Sequence, residues 1–458
     1  MVGSKLKLRV PILVLMILLI ACEKQVVDEV SNVNGRSISH DDFIFAYETS
    51  PSSFQTGPKE RAYKQVLDRI IQRILLSQEA QKRGLHTDEE IAEELRLLED
   101  AAIRRELFRI NVREQVQISN EVCRQAFSRG QQTLWVRHAV LGSKPAQVLN
   151  IWDSAWTHSS INPTSETYVS DLFGKVDLVR WNDLDQELEE ILFGLEINEL
   201  SAPILRKGNV HIFQLVNIET NQMVSENSYL LEKEHYRATI QKRREHAVAF
   251  SYVKEIMGPQ NLIIRREALD VLAQVLWSHN NSKDALTDKS SEIQDLSDVT
   301  LDEISNLELA NYQSGTMSVG DFRTYYKMNP IDLSQNSLEA LQYNLTNAIG
   351  IYVRDIVFAE IGRREGLTEL PEVSQDYQYW QERLLAARME TRIFQEVQDE
   401  FTNTDEDISL QANERLNQLC AELKQDADIK TDTAALMEIK TSDAGLPRKI
   451  DFFASYLN

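Results

Sequence analysis

Two histidines and a short apolar series are residues whose types could do chemistry. His138 and His211 each lie in a strand-like run, and Leu184, Leu188 and Phe193 fall between them. A neutral imidazole offers one hydrogen-bond donor and one acceptor and can act while uncharged. Apolar side chains at helical spacing make a dry wall that grips an apolar group. Each residue also has an ordinary reading. A single histidine on an apolar strand face is usually a satisfied core residue, and Leu184 with Leu188, one helical turn apart, is usually core. Alternation with period two puts His138 on one face with Leu134, Val136 and Val140, in apolar surroundings. Other chemistries lack their spacing: the eight histidines form no H-E-x-x-H or Cys/His metal pattern, and no phosphate-binding glycine loop or G-x-S-x-G elbow occurs. No cofactor and no metal is expected.

Strands and helices must hold these residues in place. Strands are expected over 134–141 and 210–218 with helices between them, so 131–222 reads as a small α+β domain in a chain that is otherwise mainly α. Trp152 and Trp156, four apart, read as helix core. Residues 22–130 read as a helical, chaperone-like domain. Its start, 30–38, is a hairpin turning at Asn34-Gly35, and Ser39 with Asp42 makes a capping box opening a helix through Phe43, Ala46 and Tyr47. A long helix follows, with Val66, Leu67, Ile70, Ile71, Ile74 and Leu75 at helical spacing and Gly84 just past its end. Thr87 with Glu90 caps a third helix. Beyond the α+β domain, 223–277 is a helical segment in which Lys242, Arg243 and Arg244 read as a solvated face. Residues 278–303 read as a polar linker.

The last part, 304–458, reads as a second helical domain that repeats the first. Met317, Ser318, Asp321 and Phe322 line up with Ile38, Ser39, Asp42 and Phe43, and Tyr326 falls opposite Tyr47. The stretch from Phe358 to Leu367 likewise echoes that from Leu76 to Leu85, each ending in Gly-Leu. The order of several elements, more than any one match, points to duplication.

Composition bounds the partners. The chain has 458 residues and a formal net charge of −22, a surface that repels phosphate backbones, so nucleic-acid binding is not expected. Lys5, Lys7 and Arg9 precede an apolar run from Val10 to Ile20. As a helix that run rises only about 16 Å, short of the roughly 30 Å of a bilayer core, so 1–21 reads as a signal peptide. Leu19-Ile20-Ala21-Cys22 resembles the bacterial lipobox, which implies lipid attachment at the Cys22 thiol and a location in the cell envelope, tethered to a membrane and facing the periplasm. Cys123 and Cys420 remain as either two thiols or one bridge.

Between 184 and 215 the sequence resembles the parvulin family of peptidyl-prolyl isomerases without a gap. Leu184, Leu188, Phe193, Leu195, Glu199, Ser201, Pro203, Ile204, His211 and Ile212 stand where the family has a pocket Met or Leu, a Phe, F-x-L-x-x-G-E-x-S-x-P-V and G-x-H-I. Val136-Arg137-His138-Ala139-Val140-Leu141 resembles the family's first strand. The helical flanks and the V-N-G-x-x-I start resemble periplasmic folding factors of the SurA and PrsA type. The resemblance implies one parvulin-like domain between two repeated SurA-N-like helical regions. It also implies isomerisation of X-Pro bonds, with His138 and His211 as the catalytic pair and Leu184, Leu188 and Phe193 binding substrate. The partners would be unfolded or extended proline-containing polypeptides. A non-catalytic chaperone or envelope-assembly lipoprotein is the alternative. Leu188 departs from the family's aromatic residue, and two usual glycines fall on Asn198 and Asn209, where Asn tolerates positive φ.

Overall fold

Asn34 and Gly35 take φ values of 51° and 89°, the left-handed pair that a two-residue hairpin turn requires. They join β1 (Glu29–Val33) to β2 (Arg36–Ser39). Ser39 accepts from the Asp42 amide and Asp42 from the Ser39 amide, a closed capping box that starts α1 (His40–Glu48). The computed structural model describes residues 29–51, 57–141, 175–221, 225–283, 299–329, 337–400 and 408–440. The expected signal peptide, Cys22, Trp152 and Trp156 lie outside the described residues. Among the described residues no helix is long and apolar enough to cross a membrane.

Helix α2 (Lys59–Lys82) buries Val66, Leu67, Ile70, Ile71, Ile74 and Leu75 on one stripe. Gly84 follows at φ 77°, a conformation that costs a residue with a Cβ, and a short 3-10 turn leads to α3 (Glu89–Phe108). The cap of α3 is not Thr87: its hydroxyl donates to the Gly84 carbonyl, and Asp88 accepts from the Glu90 amide instead. After α4 (Asn120–Gly130), β3 (Gln132–Leu141), β4 (Val176–Arg180), α5 (Gln186–Phe193), β5 (Ile204–Arg206) and β6 (Asn209–Thr220) comes α6 (Glu226–Met257). The helical segment expected over 223–277 comprises two helices with a short break between them. Gly258-Pro259 ends α6, and Ile263–Ile264 form β7 before α7 (Arg266–Lys283). The expected linker is helical at both ends, since α7 runs to Lys283 and α8 spans Val299–Glu303. Buried Leu272, Ala273 and Leu276 anchor α7.

The remaining elements are β8 (Glu308–Tyr312), β9 (Gly315–Ser318), α9 (Val319–Met328), α10 (Leu338–Arg364), α11 (Pro371–Glu400), α12 (Ile408–Asp426), β10 (Ile429–Thr431) and α13 (Thr433–Glu438). Among the described residues three antiparallel sheets form, in the orders β10-β1-β2, β4-β3-β6-β5 and β7-β8-β9. The fold is mostly helical.

Segments 29–108 and 308–400 have matching parts. The β1–β2 and β8–β9 ladders slip at equivalent places, between Glu29 and Ser31 and between Glu308 and Ala310. Ser318 and Asp321 close a capping box on α9 as Ser39 and Asp42 do on α1. Phe43 stacks on Tyr47 at 6.2 Å, and Phe322 on Tyr326 at 6.3 Å. Gly366 follows α10 at φ 77°, as Gly84 follows α2.

The described residues divide into two compact units, those within 108–258 and those within 29–107 together with 259–440. The flanking helical segments, separate in sequence, therefore belong to one unit. Leu76, Ala80 and Leu95 share a core with Leu385, Ala386, Met389 and Ile393, and β10 pairs with β1. Cys123 and Cys420 are both free thiols.

Candidate functional site

In the 108–258 unit, β3 and β6 run antiparallel with His138 opposite Phe213 and Val140 opposite His211. Side chains at these positions share one face, so the register sets the two histidines on adjacent strands as diagonal neighbours. His138 Nε2 and His211 Nδ1 lie 2.9 Å apart. Their rings stack at 5.1 Å and 12°, and His138 lies flat on Phe213 at 4.4 Å and 4°. One proton between the two nitrogens satisfies both, whereas two would set donor against donor. Burial first, and the neighbouring His211 second, hold the His138 imidazole below the usual histidine range, with Asp177 pulling the other way. A neutral His138 at physiological pH is the result.

The surroundings of His138 are less apolar than alternation alone suggests. Leu134 and Val136 are buried, but His138 is half-buried and Val140 is 52% exposed. A bulge between Trp135 and Val136 shifts the ladder, and the apolar layer beneath the sheet ends before the strand reaches Val140. That layer consists of Leu134, Val136, Leu188, Leu192, Phe213 and Leu215, with Leu184, Phe193, Leu195 and Ile204 partly buried around it.

Leu188 is 7% exposed and sits in this core. Leu184 does not share a helical turn with it: Asp185 is the N-cap of α5, accepting from the Leu188 amide, and Leu184 precedes the cap. Phe193 closes α5, half-buried, with the Arg129 guanidinium 5.5 Å from its ring centre. The structure thus brings His138 to His211 and Leu188 to the apolar layer. Phe213 joins the two groups. Sequence reasoning passed over Phe213, although its place two residues after His211 puts it on the same strand face.

Ser201 fixes that joint. It is buried, its amide donates to the Phe213 carbonyl at 2.8 Å, and its hydroxyl accepts from the Phe213 amide at 3.0 Å. Asn198 takes φ 71° just before, with its amide donating to the Leu215 carbonyl. Asn209 does not take a left-handed conformation. It pairs with Arg206 at the end of the β5–β6 hairpin, and the two left-handed turn residues are Lys207 and Gly208.

The basic run on α6 also departs from a solvated face. Lys242 is exposed, but Arg243 reaches both carboxylate oxygens of buried Glu189 at 3.1 Å and the Leu184 carbonyl at 3.2 Å. Arg244 donates to the Gln117 carbonyl. Glu189 further accepts from the Asn182 amide. Arg243 therefore pins α5 and the residue before it under the sheet.

No protein-family model and no curated protein matches this chain. Among solved structures, a SurA-like chaperone of Campylobacter jejuni is similar at 14% identity and a TM-score of 0.22, over 50% of this chain and 97% of that one. The foldase protein PrsA of Streptococcus pneumoniae is similar at 11% identity and a TM-score of 0.21, over 57% and 96%. The peptidylprolyl isomerase PrsA of Bacillus cereus is similar at 18% identity and a TM-score of 0.19, over 49% and 88%. TM-scores this low leave the overall arrangements unmatched, so the chemistry rests on the site's own geometry.

Proposed function

We propose that this chain is a membrane-tethered folding factor of the cell envelope whose 108–258 unit is a divergent parvulin-like peptidyl-prolyl isomerase. The observation that carries the reading is the hydrogen-bonded His138–His211 pair, with His138 stacked on Phe213 above an apolar layer. Rotation about an X-Pro bond crosses a barrier of about 18–20 kcal/mol and breaks no covalent bond. An apolar surface that holds the prolyl ring and a few fixed polar groups beside the twisting amide are enough to lower it. Leu184 and Phe193 would meet the ring, Leu188 would support them from below, and the imidazoles would orient the polar edge.

The matched hairpins, capping boxes and glycine-ended helices support reading 30–117 and 310–401 as duplicated copies of one SurA-N-like helical module that holds extended polypeptide. Lipid attachment at Cys22 belongs to the same reading. Cys22→Ala should abolish lipid labelling and release the protein from membranes. Unchanged membrane fractionation would refute the anchor.

A protease-coupled assay on X-Pro peptides tests the enzyme. Weak acceleration is expected, and His211→Ala should lower kcat/KM about 3- to 10-fold, the worth of one net hydrogen bond. Leu188→Phe should raise it, provided the variant keeps its fold, since added volume in a filled core costs about 1–3 kcal/mol. The second reading, binding without catalysis, is favoured by Leu188, which gives the core no aromatic wall beneath the pocket. Absence of any acceleration by a well-folded wild-type protein would leave that reading in place.

A further inference from the structure

The other unit contains a cavity of about 450 Å³ between α2 and α11 whose wall has a charge unlike the rest of the molecule. Arg69 and Arg73, one turn apart on α2, and Arg383 on α11 line it, against one lining carboxylate, Glu390. The whole chain has 71 acidic side chains to 49 basic ones, so three arginines at one cavity stand out. Two of them meet at a single ring: the Arg73 guanidinium lies 4.8 Å and that of Arg383 5.8 Å from the centre of Tyr379. Arg383 also donates to the Tyr379 hydroxyl at 3.0 Å. Ala46, Ile70, Ala386 and Ala387 supply small or apolar wall between the charges.

Like charges gathered at one cavity repel, and the half-buried Arg73 also loses hydration, which folding tolerates only with partial compensation. Burial is the main influence on Arg73 and disfavours its charge; Tyr379 and Glu382 offset this, and Arg383 adds repulsion. Glu382 is itself held by Arg36 at 2.6 Å. Glu390 is held above the usual carboxylate range by burial, with Arg69 opposing. An anion between the guanidiniums would relieve the repulsion. Guanidinium forks match a planar carboxylate in two-point geometry. A dianion such as phosphate fits less well, because Glu390 in the wall and the net negative chain repel the second charge. The volume lies in the range of small-ligand pockets, so the carboxylate can bring an apolar residue or two with it.

We propose that this cavity is a carboxylate-binding site, with Arg69, Arg73 and Arg383 holding the anion and Tyr379 with the alanine wall holding the apolar group attached to it. Two sources share that chemistry, the free C-terminus of a polypeptide and a small organic acid. The polypeptide source rests on the folding-factor reading above; the site itself does not.

Calorimetry on the full mature chain tests it, with three probes: an Ala/Leu hexapeptide with a free C-terminus, the same peptide amidated, and propionate. The free peptide should bind, the amidated one at least tenfold more weakly, and added salt should weaken the free peptide. Arg383→Gln and Arg69→Gln, both at exposed positions that leave the fold intact, should each cost about tenfold or more in affinity. Arg73→Gln should do the same where circular dichroism shows it folded. Propionate binding that responds to the same substitutions, without peptide binding, keeps the site and removes the polypeptide source, whatever the isomerase assay gives. Equal binding of the amidated peptide, affinity unmoved by Arg383→Gln and Arg69→Gln, or no heat with any probe would overturn the proposal.

Discussion

Asp355→Ala should destabilise the helical unit by about 3–5 kcal/mol, the usual consequence of removing one partner from a buried ionic cluster. Asp355 is 1% exposed on α10. Its carboxylate accepts from Arg354 Nε at 2.9 Å and Nη2 at 2.7 Å, pairs with Arg104 Nη2 from α3 at 3.3 Å, and accepts the Tyr325 hydroxyl at 2.8 Å. Arg354 and Arg104 are each 3% exposed. Truncation would take the shared counter-charge from two guanidiniums held out of water and remove the Asp355 acceptor from the Tyr325 hydroxyl. Asp355→Asn keeps the shape and loses the charge, so it should cost nearly as much. The chain has two units and is not a single two-state system, so amide exchange along α10 is the better readout. Protection there should fall by two orders of magnitude or more. A loss smaller than tenfold would mean that the guanidiniums find other compensation and the cluster is not held by Asp355.

Arg243→Ala should have an effect of similar size in the 108–258 unit. Glu189 is 2% exposed, and without Arg243 its charge keeps only backbone partners such as the Asn182 amide. The Leu184 carbonyl loses a donor as well, and Trp181 loses the guanidinium 6.0 Å from its ring centre. The cost should be about 3–5 kcal/mol. It should be largely recovered by combining Arg243→Leu with Glu189→Leu, because replacing both members of a buried pair with apolar groups of similar size removes the unpaired charge. The pair also positions α5, so Arg243→Ala should lower any isomerase activity while the double variant retains most of it. A double variant as unstable as the single one would show that the α5 clamp depends on more than this pair.

These two clusters mark the boundary between local and long-range information in the chain. The hairpin at Asn34-Gly35, the capping box of Ser39 with Asp42 and the helix end at Gly84 were legible because each is set within a few residues, by a positive φ or by a side chain meeting an amide three positions on. The strands holding His138 and His211 were legible for the same reason, from alternation and β-branched content. The contact between those histidines was accessible only through resemblance, since no local rule sets the register of two distant strands.

What the tertiary structure alone decided is what depends on a partner far along the chain. β7 and β10 are too short for periodicity to reveal and exist because β8 and β1 offer them unpaired edges. The joining of the two helical segments into one unit follows from apolar stripes on α2 and α11 that each helix displays but neither can assign to the other. Arg243 looks like any exposed arginine in its own helix, and only the approach of Glu189 makes it a clamp. The residues specified their local conformations; which surfaces meet was determined by packing, because burial energy depends on area and shape and carries no label of sequence position.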